Sequence, residues 1–430
     1  MKSRLQHVIF LTVALFMLTA IVPAAAQDGT ITLDFYFPEA SANNAQAIFE
    51  EYAAMFTEQN PNIQINVVYQ GSYTDNRTII QSQLAAGEGP DVAVMLATDL
   101  LSFIEAGTIV PAQQFVDADE DGAAYVEDFF DAFLYNSVDE NGQLWAIPFQ
   151  RSTPILYYNA DLFAEAGLEV PTNRDELAAA AQALTTEDRW GFWYPSEGFP
   201  IWMFTAFNIA GGEPLIGDRF DQVFFNTEST ASGLQYLLDL SGEYGVMPAG
   251  ALSWGDGPTI FTSGQAAMLA HTTGSLTRIL GEATFTVGTA FLPFGPAGED
   301  GTGYGAPTGG GNLYIFANST PEEQAAAWEW VRFLSSPEIQ ADWTSRTGYI
   351  ASVESAWETD TLVQLVESTP QYAMARDQLA FAGKEFTAFR SIDIQNIINT
   401  TLSSIIAGEV TDIAAALEAA QAQIDSLLAE

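Results

Sequence analysis

The chain contains no cysteine. That absence excludes disulfides, a thiol nucleophile and thiolate metal sites, and it leaves no thiol for a lipid anchor. Histidine is almost as scarce, with His7 and His271 the only two in 430 residues. A Ser-His-Asp hydrolase needs a histidine base beside an activated serine, and no G-x-S-x-G elbow occurs. A histidine-based zinc site needs more than one imidazole unless carboxylates supply the rest. Basic residues are also few: 13 Lys and Arg stand against 55 Asp and Glu, a formal net charge of −42. A field of that sign repels nucleic acid and anionic lipid heads and keeps a protein soluble. Beyond the N-terminus, no apolar run reaches the ~20 residues that a membrane span requires.

What the chain has in quantity is apolar and aromatic material, 48% and 12% of its residues. That supply argues against disorder, and the length makes two domains the default. The N-terminus carries Lys2 and Arg4, an apolar run from Val8 to Ile21, and Ala24-Ala25-Ala26 before Gln27. A basic head, a short apolar core and a small-residue cleavage site read as an export signal over residues 1–26. The mature chain is therefore expected to be freely diffusing and periplasmic or extracellular.

Along the chain, TITLDFYF (residues 30–37) alternates as a strand. Ser41 offers an N-cap to a helix whose Ala47, Phe49, Tyr52, Ala53 and Phe56 keep helical spacing. IQINVVYQ, a helix from about Tyr73 to Ala86, and the strand in GEGPDVAVML follow. Strands and helices in this alternation predict an open, mostly parallel sheet with helices on both faces. After a hairpin-like DENGQLWAIPF the pattern restarts with the strand ILYYN and helices from Ala160 and Arg174. Residues 190–215 are dense in Trp, Phe and Gly, AAMLAHTTGS and FTVGTAFLPFGP read as strands, and a capped helix starts at Pro321.

Three local patterns could carry chemistry. Asp117, Asp119 and Asp121 before Gly122 match the first half of a calcium loop, but the twelfth position is Asp128 where such a loop closes on Glu. A solvated turn is the plainer reading, with a cation site the alternative. The run Thr308-Gly309-Gly310-Gly311-Asn312 could cradle a phosphate, yet lacks the Gly-Lys-Ser/Thr of a P-loop, so a loop or ligand-facing hinge is expected. Tyr73, Trp193, Tyr194, Trp202, Trp254 and Tyr349 could stack on sugar rings or fill the core. Trp328 and Trp330, two apart in a helix, read as structural. His271 reads as a packed or pocket-wall residue.

The segment GQLWAIPFQRSTPILYYNADLFAEAGLEVP (residues 142–171) resembles the signature of bacterial extracellular solute-binding proteins of ABC importers. The segments at residues 261–279, 321–352 and 405–428 agree with it in order, so the resemblance covers essentially the whole mature chain. It is nearest to the glycerol-3-phosphate- and carbohydrate-binding members, through QGSYTDN, STPILYYN and TGY.

The resemblance implies an α/β, two-lobed periplasmic-binding-protein fold of type II, with hinge-linked lobes that each hold a central mixed sheet. Residues 27–152 plus 306–349 would form the N-terminal lobe, and 153–305 plus 350–430 the C-terminal lobe. Matched to the family's ligand positions are Tyr73, Ser152, Thr272, Gly310 and Tyr349. Trp202 joins them as a candidate stacking residue. Two positions depart: the family's acidic ligand residue falls on Ala97, and its phosphate-binding arginine falls on Ile398, so that Arg390 would have to substitute. A phosphate held away from water needs charge-assisted hydrogen bonds, which favours a neutral sugar, oligosaccharide or polyol here. Glycerol-3-phosphate or a glycerophosphodiester is the alternative ligand, and a secreted glycan-active enzyme the alternative class. The expected partners are this carbohydrate-like solute and the permease's transmembrane subunits, with no nucleic acid and no cofactor, and the protein is expected to be a monomer. Arg151, next to Ser152, could touch ligand, but strand alternation favours a salt bridge at the hinge.

Overall fold

The computed structural model describes residues 29–38 and 44–429, so the export signal and the expected cap at Ser41 lie outside the described residues. Seven-residue β-branched and aromatic runs give β1 (Ile31–Phe37) and β2 (Ile63–Tyr69), which pair in parallel from Ile31↔Ile63 to Phe37↔Tyr69. β3 (Val92–Leu96) is parallel to β1, and β4 (Ile147–Ser152) leads into β5 (Pro154–Asn159). The remaining strands are β6 (Met268–Thr272), β7 (Val287–Ala290), β8 (Ala306–Pro307), β9 (Gly309–Ile315) and β10 (Ala382–Gly383).

Two main sheets result. The first runs β2-β1-β3-β9-β4, with β9 antiparallel to both neighbours. The second runs β6-β5-β7, antiparallel throughout, and gains a parallel partner through isolated bridges from Trp190 to Ala266 and Trp193 to Leu269. Both sheets are therefore mixed. The β2-β1-β3 half of the first sheet is parallel, as the strand–helix alternation predicts, and the antiparallel β9 makes the sheet mixed.

The expected loop at residues 308–312 is mostly strand β9, and its glycines are needed for close approach. A Cβ on Gly311 would lie 2.6 Å from Val94 Cγ1, and one on Gly310, at φ +97°, would lie 2.0 Å from the Gln150 carbonyl oxygen. Glycine is there because the neighbours leave no room, not because the backbone is loose.

Each sheet builds its own core. Around the first, helix Ala45–Gln59 buries Ile48, Phe49, Tyr52 and Phe56 against Trp330 of helix Pro321–Leu334 and Trp343 of helix Pro337–Thr347. Thr320 starts helix Pro321–Leu334 with a reciprocal capping box to Glu323. Around the second sheet, helix Pro200–Ala210 is apolar nearly all round and packs against helices Glu228–Ser241 and Ser391–Ile406. Ala351, Val353, Ala356 and Leu362 belong to the first core, whereas Tyr372 and Ala375 belong to the second sheet.

The chain passes between sheets at single residues. Thr153 separates β4 from β5, and Thr308 separates β8 from β9. The two crossings are tied together where the Thr153 hydroxyl donates to the Pro307 carbonyl at 2.9 Å.

Candidate functional site

Both crossings open onto one cleft. An inner cavity of about 40 Å³ continues into an outer one of about 270 Å³, and Leu96, Phe199, Trp202 and Glu385 line both. The residues come from strand ends and helix starts, where side chains are held by a rigid frame but face outward. Ser152 ends β4, Thr272 ends β6 and Gly310 lies in β9. Tyr73 is the first residue of helix Tyr73–Ala85, which Ser72 and Asp75 fix with a capping box. Trp202 lies in the first turn of helix Pro200–Ala210.

One side chain, Gln150, holds the two tyrosines of the inner cavity. Its Nε2 donates to the Tyr73 hydroxyl at 2.7 Å and to the Tyr349 hydroxyl at 3.3 Å. Because the Tyr73 oxygen is the acceptor, its proton remains to donate. Burial pushes the Tyr73 phenol well above its ordinary value, so it stays a neutral donor. Tyr349 is held flat against Trp343, and a Cβ on Gly274 would reach its ring at 2.9 Å.

Opposite stands an aromatic wall. Phe199 meets Trp254 edge-on at 5.0 Å between centroids, and Trp254 meets Trp202 at 5.8 Å. Trp202 Nε1 donates to the Thr308 carbonyl at 2.8 Å, which pins the indole to the second crossing. Trp254 is backed by His271, 3.9 Å away between ring centroids, whose Nε2 lies 3.1 Å from the Trp254 carbonyl oxygen. Burial lowers the His271 pKa to about 3, with Arg278 adding to the fall and the Trp254 bond opposing it. This histidine is a neutral support for the wall and faces no activated serine.

The floor of the cleft is a charge pair. Arg151 is fully buried; its Nη1 donates to Asn312 Oδ1 at 3.2 Å and to the Gly310 carbonyl at 3.4 Å. Its Nη2 lies 3.9 Å from Glu385 Oε2, and Phe133 sits 5.3 Å below the guanidinium. Asn136 closes the network by donating to the Glu385 carbonyl and the Thr387 hydroxyl. Burial raises the Glu385 carboxyl to about 8 against the opposing pull of Arg151.

Six of the seven candidate ligand residues, Tyr73, Ser152, Trp202, Thr272, Gly310 and Tyr349, line the inner cavity together. Arg390 is placed elsewhere. It sits at φ 56° before helix Ser391–Ile406, and its guanidinium holds Asp393 at 2.9 Å with 41% of the side chain exposed. Among the suggested stacking residues, Trp193 and Tyr194 are core. Trp328 and Trp330 are core as well. Asp119 ion-pairs with Arg332 at 2.9 Å and Asp117 accepts from Gln113 at 2.8 Å. The half-matched calcium loop lies at the junction of the short helices Gln113–Ala118 and Gly122–Glu127, and among the described residues no group of three or more His, Cys, Asp or Glu could hold a metal ion. Glu385, Phe199 and Gln150 escaped the sequence reading. One carboxylate among 55 acidic residues carries no signal, and Gln150 is set apart only by its place in β4.

Residues 51–373 match the family model described as bacterial extracellular solute-binding protein. The sn-glycerol-3-phosphate-binding periplasmic protein UgpB of Pectobacterium atrosepticum is 26% identical over 425 residues, covering 93% of this chain and 92% of that one. Among solved structures, UgpB from Mycobacterium tuberculosis in complex with glycerophosphocholine superposes with a TM-score of 0.80 at 22% identity, covering 93% of this chain and 99% of that one. Maltose-bound MalE3 of T. maritima gives 0.80 at 21% identity, covering 93% and 100%. These two likenesses show a shared fold.

Proposed function

The chain belongs to the bacterial extracellular solute-binding proteins, and on that premise we propose that it captures a neutral, carbohydrate-like solute and delivers it to an ABC permease. The observation that carries the ligand class is the inner cavity's lining. It offers indole and phenol rings, hydroxyls of Ser152 and Thr272, and no Lys or Arg. Aromatic faces pair with the C–H faces of a sugar ring, and hydroxyl donors and acceptors serve its polar rim. In that lining a phosphate would find no Lys or Arg to donate a charge-assisted hydrogen bond.

The lobes divide at Thr153, at Thr308 and between residues 362 and 372, as the two cores suggest. Closure about these crossings would clamp the solute between Tyr73 and Tyr349 on one side and the Trp202–Trp254 wall on the other. The chain acts outside the cytoplasmic membrane, by binding rather than turnover, as a monomer. Among the described residues no helix is long and apolar enough to cross a membrane.

A second reading has two observations in its favour. Arg77 lines the outer cavity, and the P. atrosepticum relative is named for sn-glycerol-3-phosphate. Arg77 is already engaged by buried Asp99 at 2.9 Å, which lowers its worth to an incoming phosphate. A thermal-shift panel separates the readings, because stabilisation grows as RT ln(1 + [L]/Kd). Maltose, trehalose, ribitol or a related neutral solute is expected to raise the Tm. Stabilisation by sn-glycerol-3-phosphate and by no neutral solute would reject the neutral-ligand reading, and turnover of a bound glycan would reject the binding-only role.

A further inference from the structure

We infer that Glu385 is a titrating charge gate on the cleft: ionised, it cancels Arg151 and leaves a site for neutral solutes, and protonated, it exposes the cleft to Arg151 and admits an anion. The inference rests on the reading of this cleft as the solute site.

A guanidinium keeps its proton even when buried, so the full positive charge of Arg151 is locked behind Gly310, which lines the inner cavity while Arg151 does not. Its contacts are few for such a burial. Nη1 has the two bonds to Asn312 and Gly310, whereas Nε and Nη2 have no hydrogen-bond partner. An uncompensated buried charge is strongly unfavourable and draws in a counter-charge.

Glu385 is the group placed to supply it. It lines both cavities, so it stands between Arg151 and any solute. Yet the pair is not closed. Oε2 and Nη2 are 3.9 Å apart, beyond hydrogen-bond range, and Oε2 also lacks a hydrogen-bond partner. The two groups therefore interact through charge alone, and that interaction ends when the carboxyl gains a proton.

Other groups near Glu385 leave this balance intact. Asp99, after β3, adds a negative neighbour but is held by Arg77. Tyr73 and Tyr314, which feel the Glu385 charge, are pushed far above their ordinary values by burial and stay neutral. Lys384 turns away, its Nζ 6.0 Å from the Tyr135 ring. Burial lifts the Glu385 carboxyl toward neutrality, which moves its titration into a usable range.

The test uses sn-glycerol-3-phosphate as the anionic probe and calorimetric titration at pH 6 and pH 9. Wild type and Glu385→Gln are compared at each pH, so the probe's own ionisation cancels. At pH 9, Glu385→Gln should bind about tenfold more tightly than wild type, while at pH 6 the two should approach each other. Adding Arg151→Met to Glu385→Gln should abolish the gain. Equal affinities at pH 9, including no detectable binding by either, would overturn the gate, as would a gain that survives in the double variant.

If Glu385→Gln does not fold, wild type carries the test with sulfate, whose charge is constant over this range. At fixed ionic strength, tryptophan fluorescence should report sulfate affinity about tenfold weaker at pH 9 than at pH 6, and a flat profile would overturn the gate. Failure of the neutral-solute panel with an intact anion response would reject the proposed ligand class and leave the gate standing.

Discussion

Trp254 and His271 form a stacked pair, 3.9 Å between ring centroids and tilted by 30°, with the imidazole buried behind the indole. The pair links a cleft wall to the protonation state of one histidine. In the folded protein its pKa falls to about 3, against 6.5 for an unperturbed histidine, because burial disfavours the cation. Between those values the unfolded chain holds the extra proton, so stability falls as pH drops from about 6.5 toward 3. Acidification from pH 7 to pH 4 should therefore cost wild type about 3 kcal/mol more than His271→Gln, by the linkage of one group. Urea unfolding of both proteins at the two pH values checks this, and parallel losses would refute it.

Gln150 gives a prediction about affinity alone. Its amide holds the hydroxyls of Tyr73 and Tyr349 but is itself buried and lines neither cavity. Replacing it with Leu keeps most of the volume and removes both donors. One neutral hydrogen bond is worth about 1 kcal/mol, so affinity for the stabilising solute should fall roughly fivefold. Calorimetry with that solute reads the loss, and unchanged affinity would show that the tyrosines are positioned by packing alone.

The sequence revealed the frame better than the cleft. β2 announces itself because a half-buried strand alternates, β1 and β3 as short β-rich apolar runs, and Thr320 with Glu323 announces a helix start. β9 stayed hidden because glycine has little strand preference. Its glycines answer to Val94, Gln150 and Trp202, which are distant in sequence. Helix Pro200–Ala210 stayed hidden because seven of its residues are buried, from Ile201 to Asn208, and an element apolar all round has no periodic face. Within the cleft, Tyr73, Ser152 and Tyr349 came from the family pattern, and no pattern points to Glu385. A carboxylate acquires meaning there only from the buried Arg151 that a separate strand brings up to it.

Thr320 offers a check on the frame. Its hydroxyl accepts from the Glu323 amide, and the Glu323 carboxylate accepts from both the Thr320 amide and hydroxyl. Thr320→Ala should lose about 1 kcal/mol of stability, the usual worth of an N-cap. Solute affinity should stay within twofold, since the cap lines neither cavity. Denaturant unfolding and calorimetry together test both halves, and a large affinity loss would mean that helix Pro321–Leu334 reports to the cleft.

Gly309 couples the second crossing to the aromatic wall. A Cβ there would lie 2.3 Å from Trp202 Nε1 and 2.5 Å from its Cε2, far inside contact distance. Gly309→Ala must therefore displace the indole, breaking its bond to the Thr308 carbonyl and its edge contact with Trp254. Overpacking of this kind costs about 1–3 kcal/mol of stability. Solute affinity should fall by more than tenfold, because the displaced ring is itself a wall of the cleft. If the collision with Trp202 is the cause, Trp202→Leu should relieve it by replacing the indole with a shorter side chain. The double variant should then be more stable than Gly309→Ala alone, a positive coupling of about 1 kcal/mol in a double-mutant cycle. Additive losses would place the cost in the β9 backbone instead, and the indole would not be what holds this crossing free of side chains.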